Sequence, residues 1–400
     1  MIRYALRSDG IPFSTAWTYR FRMRIAMMTD SWFPTRDGVV TSVSIIKESL
    51  EALGHEVFIV APEPEDQFKQ DGVYYYPAIR FRTYEGYYVP IVPAKNIDAI
   101  REIDPDIIHI HGVATMAIRG LVYGRILGIP TVMTFHTMVD DAARFYSPVP
   151  VRPDALQRWI WIYLRHIIKH VDVLVTPTAC IGEELRKHQT EFRNLMTVPT
   201  GIDVGKYRPG LECGFVRERH GLGDRRVVIH VGRISYEKSL DLVIRAMINV
   251  DAVLLVCGRG PAKKEMEDLV EWLGLGKRVV FAGFVPDEEL PAYYNAADCA
   301  VSASGFETQG LSILEAMSCG KPVACMNARA FSEIVHDGEN GFLFDDLKSC
   351  TEAIAKALDA PDGIKEGARR TALETSREES AKKYVEAYGL AIETERARGR

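Results

Sequence analysis

Short, uninterrupted apolar runs alternate along this chain with longer stretches in which apolar residues recur every three or four positions. The runs Arg24–Met28, His55–Pro62, Asp106–His111, Thr131–Phe135 and Asp172–Pro177 predict buried strands. Between them, Val39, Val40, Val43, Ile46 and Leu50 form a helical stripe. A second stripe, Ile160, Leu164, Ile167, Ile168 and Val171, lies in and just after a helix expected over Gln157–His170. Packing of that helix on the core outweighs an interfacial role built on Trp159, Trp161, Arg158, Arg165 and Lys169. A shorter helix is expected over Cys180–His188. The alternation restarts at Val227–Val231 and continues through Val253–Gly258, Val279–Gly283 and the run ending at Val301. Helices are expected near Ser239, from Leu290, from Leu311 to Gly320, and over Thr351–Arg400. This alternation predicts an α/β protein, and the restart divides it in two. We expect an extension over 1–22, a first domain over 23–205, a second over 206–375 and a terminal helix over 376–400. Gly205, Pro209 and Gly210 suit a flexible linker. The extension carries Arg3, Arg7, Arg20 and Arg22 without the apolar core of a secretory signal. Because Met23 opens the first strand, an upstream start codon wrongly chosen is favoured over a basic arm.

Where a strand passes through a glycine-bearing turn into a helix, free backbone N–H groups and the positive helix end point at whatever lies above the turn. The most developed case is Ser302–Val323, SASGFETQGLSILEAMSCGKPV. Gly305 and Gly310 loosen its backbone, a helix begins near Leu311, and Gly320 and Pro322 stop it. Glu307 and Glu315 bracket the turn. An anion cradle flanked by carboxylates suits a nucleotide-sugar, with phosphates on the amides and hydroxyls on the acids. In a second case, Gly232 to Lys238, Arg233 and Lys238 bring positive charge to a helix start, where a diphosphate would gain both kinds of contact. The third turn holds Gly38, beyond the first strand of a doubly wound sheet, where ligands collect. Gly38 reads either as a point of close approach or as a tight-turn residue. Asp30 reads more readily as a strand-end cap than as a site. His136, delivered by the strand Thr131–Phe135, can hydrogen-bond a sugar and the charge developing at a reacting carbon. Asp104-Pro105-Asp106 has the form of a metal-binding D-x-D but precedes its strand, so it reads as a turn. From Tyr74 to Pro93, Tyr74, Tyr75, Tyr76, Phe81, Tyr84, Tyr87 and Tyr88 are interleaved with Arg80 and Arg82. That pattern suits a lipid headgroup boundary or the rim of a strand pair equally.

Composition narrows the picture further. Four hundred residues at 47% hydrophobic content can bury two cores. With a net charge of −5 and neither half basic, nucleic acid is not expected as a partner. Seven cysteines without a C-x-x-C pair argue against structural zinc and a disulfide framework, and point to a reducing cytosol. No apolar run approaches the ~20 residues that span a bilayer, so any membrane contact would be peripheral.

Glu307 and Glu315 form E-x7-E, Arg233 and Lys238 complete GR-x4-K, and Gly258 to Pro261 reads G-x-G-P. On these motifs, in this order, the chain resembles retaining glycosyltransferases of family four, which have the GT-B fold. The resemblance runs from about Arg24 to Ala391. ETQG with LEAM, and TFHTM around His136, resemble the subgroup that glycosylates membrane lipids such as diacylglycerol. The resemblance implies two Rossmann-like domains facing a cleft, the donor held mainly by the second and the acceptor by the first. It implies transfer of a hexose, glucose from UDP-glucose ahead of a GDP-hexose, to a lipid hydroxyl with retention of configuration. Arg233 and Lys238 would hold the leaving diphosphate in place of a metal, Glu315 the ribose and Glu307 the sugar hydroxyls. Gly310, Leu311 and Ser312 would offer amides, Gly258 and Gly260 would lie near the nucleotide, and Phe284 and Val285 would hold the base through their backbone. Gly38 would approach the donor phosphate or the acceptor, and His136 the hexose. Asp141, Tyr84 and Tyr87 are expected on the acceptor side. No carboxylate is placed as a nucleophile, which favours departure and attack on one face. No cofactor is expected to be required, no divalent metal to be essential, and the inner face of the cell membrane is the expected location.

Rival readings keep the chemistry and change the acceptor to phosphatidylinositol, a sugar phosphate or a polysaccharide, with mannose among the possible hexoses. A nucleotide-sugar-binding regulator without turnover would be marked by loss of Arg233, Lys238 or the glutamates. A NAD-dependent oxidoreductase would need G-x-G-x-x-G after strand one, where residues 29–40 hold only Gly38.

Overall fold

The structure is a computed structural model that describes residues 22–35, 37–80, 88–90, 97–136 and 153–398. The expected extension up to residue 21, together with Tyr84, Tyr87 and Asp141, lies outside the described residues. Strands are, in chain order, β1 (Arg24–Thr29), β2 (Glu56–Pro62), β3 (Val73–Tyr76), β4 (Ala78–Arg80), β5 (Tyr88–Pro90), β6 (Ile107–His111), β7 (Thr131–Thr134), β8 (Val173–Thr176) and β9 (Leu195–Thr197). They continue as β10 (Val227–Val231), β11 (Val253–Cys257), β12 (Val279–Gly283), β13 (Cys299–Ser302), β14 (Val323–Met326) and β15 (Phe342–Phe344).

The first sheet has seven strands in the order β3-β2-β1-β6-β7-β8-β9, and the second has six, β12-β11-β10-β13-β14-β15. Every pairing in both is parallel. Strands buried on both faces explain the uninterrupted apolar runs. In β1, Ile25 and Met27 pack with Val43, Ile46 and Leu50 of the helix Gly38–Ala52, while Ala26 and Met28 face a cluster with Met116 and Leu164. Strand order reverses between β1 and β6, and again between β10 and β13. Crevices beyond such reversals are where ligands of open sheets bind. Three turns singled out from sequence, those holding Gly38, Arg233 and Glu307, follow β1, β10 and β13.

Several local features differ from expectation. The tail, expected to be helical, is three helices, Leu347–Leu358, Asp362–Glu374 and Arg377–Arg398, the last of them matching the terminal helix expected over 376–400. Pro361 accounts for the first break. At the second, Ile202 forms a bridge with Ser376 and exchanges backbone hydrogen bonds with Thr375 and Arg377. The last helix then lies on the first sheet, burying Tyr384, Val385, Tyr388 and Ala391 beside Ile25 and Val173. The segment from 200 to 207 is accordingly no loose tether. Gly201 packs so closely on Arg377 that a Cβ would lie 2.5 Å from its Cα, and Arg369 donates to the carbonyls of Val204 and Tyr207. The helix Pro153–Ile168 does bury Leu164, Ile167 and Ile168, and also Trp161, which stacks on His188. Its outer face is apolar too, with Trp159 70% exposed.

Candidate active site between the two sheets

The turn after β13 is the hinge of the site. Gly310 adopts φ +81° and serves as N-cap of the helix Leu311–Ser318 without any side-chain cap. A Cβ at Gly310 would also lie 2.4 Å from the Phe331 ring, so glycine is required twice over. The Leu311 and Ser312 amides at this helix start have no intrahelical acceptor. Glu307, before the turn, ion-pairs with Lys238 from the turn after β10, both side chains being largely buried. The two groups expected to meet hexose hydroxyls and diphosphate therefore neutralise one another. Arg233 stands exposed at the start of the same turn.

Glu307 is followed by two residues that tie the sheets together. The Thr308 hydroxyl donates to the His136 carbonyl at 2.9 Å, and the Thr308 carbonyl accepts from the Thr178 hydroxyl at 2.9 Å. The Gln309 amide pairs with both backbone groups of Thr200, each at 2.8 Å, and Thr200 reaches Ser42 on the helix that Gly38 begins. Farther along, Glu333 accepts from the Ala179 and Cys180 amides at 2.9 and 2.8 Å, capping the helix Ala179–Lys187 from the other domain. Thr308, Gln309 and Glu333 were not singled out from sequence. Thr308 and Gln309 stand within ETQG, but their partners, like those of Glu333, lie more than a hundred residues away, and nothing local marks what they hold.

His136 follows β7 and sits at this junction, its Nε2 3.0 Å from Nδ1 of His111 at the end of β6. Burial pushes the His136 imidazole down to about 4, and holds those of His109 and His111 well below the ordinary range. His136 is thus a neutral ring at physiological pH. His109 and His111 were passed over as site residues, although their alternate spacing puts both on one face of β6. His230, on β10, is another buried neutral imidazole, pushed to about 4, with an unpartnered Nε2.

Glu315 lies beyond the turn, where the Tyr294 hydroxyl donates to its Oε2 at 2.8 Å. Burial, opposed by that hydrogen bond and by Tyr207, pushes its carboxyl up to about 7. Phe284 is 46% exposed beneath the Arg259 guanidinium, and Val285 is buried. Gly258 and Gly260 are required by packing. A Cβ on Gly258 would lie 1.8 Å from the Gly232 carbonyl oxygen, and one on Gly260 2.1 Å from that of Ile234. These glycines let two turns pack backbone to backbone, which shapes the Arg233–Lys238 loop from behind. Gly38, by contrast, has open space where a Cβ would be. Asp30 is a cap: its carboxylate accepts from the Ala114 and Met116 amides at the helix Thr115–Leu127, while burial raises its pKa. The D-x-D is structural as well, with Asp104 in the left-handed region after a helix and Asp106 accepting from the Arg24 amide. Among the described residues, no three His, Cys, Asp or Glu side chains cluster as metal ligands.

Two parallel sheets meeting at their switch points, with a cationic turn, an amide cradle and two carboxylates between them, define a glycosyltransferase that uses a nucleotide-sugar. Comparison with known proteins agrees. The model of Glycosyltransferase Family 4 matches residues 36–206, and that of Glycosyl transferases group 1 matches 215–377. The chain belongs to glycosyltransferase family 4. It is 29% identical to the alpha-monoglucosyldiacylglycerol synthase of Acholeplasma laidlawii, across 93% of this chain and 96% of that one. It is 28% identical to a GDP-mannose-dependent alpha-mannosyltransferase of Corynebacterium glutamicum, across 84% and 80%. Among solved structures, Anabaena HepE in complex with UDP and glucose superposes with a TM-score of 0.73 at 17% identity, over 91% of this chain and 99% of HepE. That likeness establishes the GT-B architecture.

Proposed function

We propose that this enzyme moves glucose from UDP-glucose to the free hydroxyl of diacylglycerol, with retention of configuration and without a required metal. The observation that carries the reading is the contact of Lys238 with Glu307 one residue before Thr308 meets His136. A diphosphate entering the cleft would draw Lys238 and Arg233, supplying the positive charge that a metal otherwise provides, and would release Glu307 to the hexose hydroxyls. The bond from the anomeric carbon to the diphosphate then breaks on the face from which the acceptor oxygen attacks. The acceptor proton passes to the departing diphosphate. Leu311 and Ser312 amides would add to the anion cradle, and Glu315 would take the ribose. Similarity over nearly the full length to the Acholeplasma synthase supports glucose and diacylglycerol. The mannosyltransferase relative supports GDP-mannose as the alternative donor.

A lipid acceptor requires contact with a membrane surface, and no described helix is long and apolar enough to cross one. Peripheral contact is supported by a ridge on the first domain. Ile118, Val122 and Ile126 line one exposed side of the helix Thr115–Leu127, and Trp159 and Ile162 are exposed on the helix Pro153–Ile168 that contacts it. Arg125, Arg158 and Lys169 flank it and make no ion pair with any described residue, which suits anionic headgroups. The test is incorporation of labelled hexose from UDP-glucose into a chloroform-soluble product in vesicles containing diacylglycerol. An α-linked glucosyl lipid is expected; incorporation only into water-soluble acceptors would overturn the lipid reading.

A further inference from the structure

Between His111 and His136 lies a proton whose position decides what His136 can do. The two rings stack 5.3 Å apart at 25°, with His111 Nδ1 facing His136 Nε2 across 3.0 Å. Behind them, His109 packs 3.9 Å from His111 and is held on both nitrogens, by the Tyr388 and Thr134 hydroxyls at 2.8 Å each. Only one proton fits between the facing nitrogens. If His136 donates it, a neutral His111 must carry its own proton on Nε2. That nitrogen is buried and has no partner, so an N–H would be stranded in the interior, one of the rarest defects in folded proteins. If His111 donates instead, its Nε2 is a bare lone pair, the milder defect. His136 then carries its proton on Nδ1. This nitrogen bonds to no described residue, and His136 is only half-buried at the end of β7, where a ligand can meet it.

We infer that His111 is a positioning residue that locks His136 as the Nδ1–H tautomer, making His136 a hydrogen-bond donor to a hydroxyl oxygen of the bound sugar. It cannot serve as a base through Nε2, because that lone pair is already engaged. Burial of both rings works in the same direction by keeping them from taking up a second proton. The inference rests on the transferase reading only for what His136 meets; the tautomer itself is independent of it.

The experiment is nitrogen-15 NMR of the full chain with labelled histidine, the His136 resonances being assigned by loss in His136→Gln. The wild type is expected to show His136 protonated at Nδ1 and bare at Nε2; protonation at Nε2 would overturn the inference. In His111→Leu the lock is gone and His136 becomes a tautomer mixture, with kcat lower by about 10- to 100-fold and donor KM changed far less. His111→Asn, whose amide nitrogen falls near the Nδ1 position, should restore both the tautomer and most of kcat. A His111→Leu enzyme that keeps the Nδ1–H signature and wild-type kcat would refute the lock. If His111→Leu fails to fold, the wild-type spectrum and His111→Asn still decide. Full transfer activity in His136→Ala would instead refute the role of His136 toward the sugar, whatever the tautomer.

Discussion

Replacing Glu315 with glutamine should stabilise the free enzyme while weakening its grip on donor. Burial raises this carboxyl from 4.5 to about 7, so the folded protein binds the proton more tightly than the unfolded chain does. The sign follows. Below the unfolded value both states are protonated and the group costs nothing; between the two values the cost grows; above about 7 it is complete. Each tenfold difference in proton affinity between the folded and unfolded chains is worth about 1.36 kcal/mol, so the ceiling is roughly 3 kcal/mol at pH 8. Glutamine keeps an acceptor for the Tyr294 hydroxyl but brings an amide with no assured partner, which removes about 1 kcal/mol. A net gain of about 2 kcal/mol corresponds to a Tm about 4–8 °C higher for a domain of this size. The assay is thermal unfolding of wild type and Glu315→Gln at pH 5 and pH 8, beside calorimetric titration with UDP. The gain should be present at pH 8 and nearly absent at pH 5, with UDP affinity down roughly tenfold for loss of a charged acceptor to ribose. Equal shifts at both pH values, or a less stable variant at pH 8, would refute the electrostatic origin of the gain.

Other consequences are equally direct. Gly258→Ala should unfold the second domain or cost more than about 3 kcal/mol, since its methyl would meet the Gly232 carbonyl oxygen at 1.8 Å. Gly38→Ala should leave Tm within a degree or two, and any fall in turnover measured alongside would mark ligand approach at that turn. In Gln309→Leu the paired bonds to Thr200 are lost and that peptide is left unsatisfied. A stability loss of about 2–4 kcal/mol in urea titration is expected, with a larger radius of gyration by small-angle scattering. The double variant Ile126→Asp, Trp159→Asp should keep its fold and its binding of UDP but lose cosedimentation with anionic vesicles by tenfold or more; unchanged sedimentation would exclude the ridge as the membrane contact.

Much of the fold is legible in the sequence because both faces of each sheet are covered. Runs such as Ile25 to Met28 are apolar throughout, and glycine turns punctuate them. The placement of the turns is legible for a related reason: Arg233, Lys238, Glu307 and Gly310 stand in turns that follow β10 and β13, beside the switch point of the second sheet. What pairs across the cleft is not legible. Thr308 and Gln309 stand beside Glu307 in the chain, yet their work is to hold His136 and Thr200 in the other domain. Gly258 and Gly260 are legible as a motif, but the sequence does not show that the Cβ they lack would strike neighbouring backbone. In the helix Pro153–Ile168, periodicity identifies Leu164 and Ile168 but cannot tell buried Trp161 from exposed Trp159, because both faces are apolar. The break before Arg377 has a tertiary partner that the sequence does not mark, the bridge from Ile202 to Ser376.

The most decisive measurement is release of nucleoside diphosphate from a panel of UDP- and GDP-sugars, with and without diacylglycerol vesicles and with and without a chelator, beside Lys238→Ala. We expect UDP release from UDP-glucose that vesicles stimulate, that chelation spares and that Lys238→Ala reduces by about a hundredfold or more. Donor binding with no release under any acceptor, or release unchanged in Lys238→Ala, would contradict the proposed lipid glucosyltransferase.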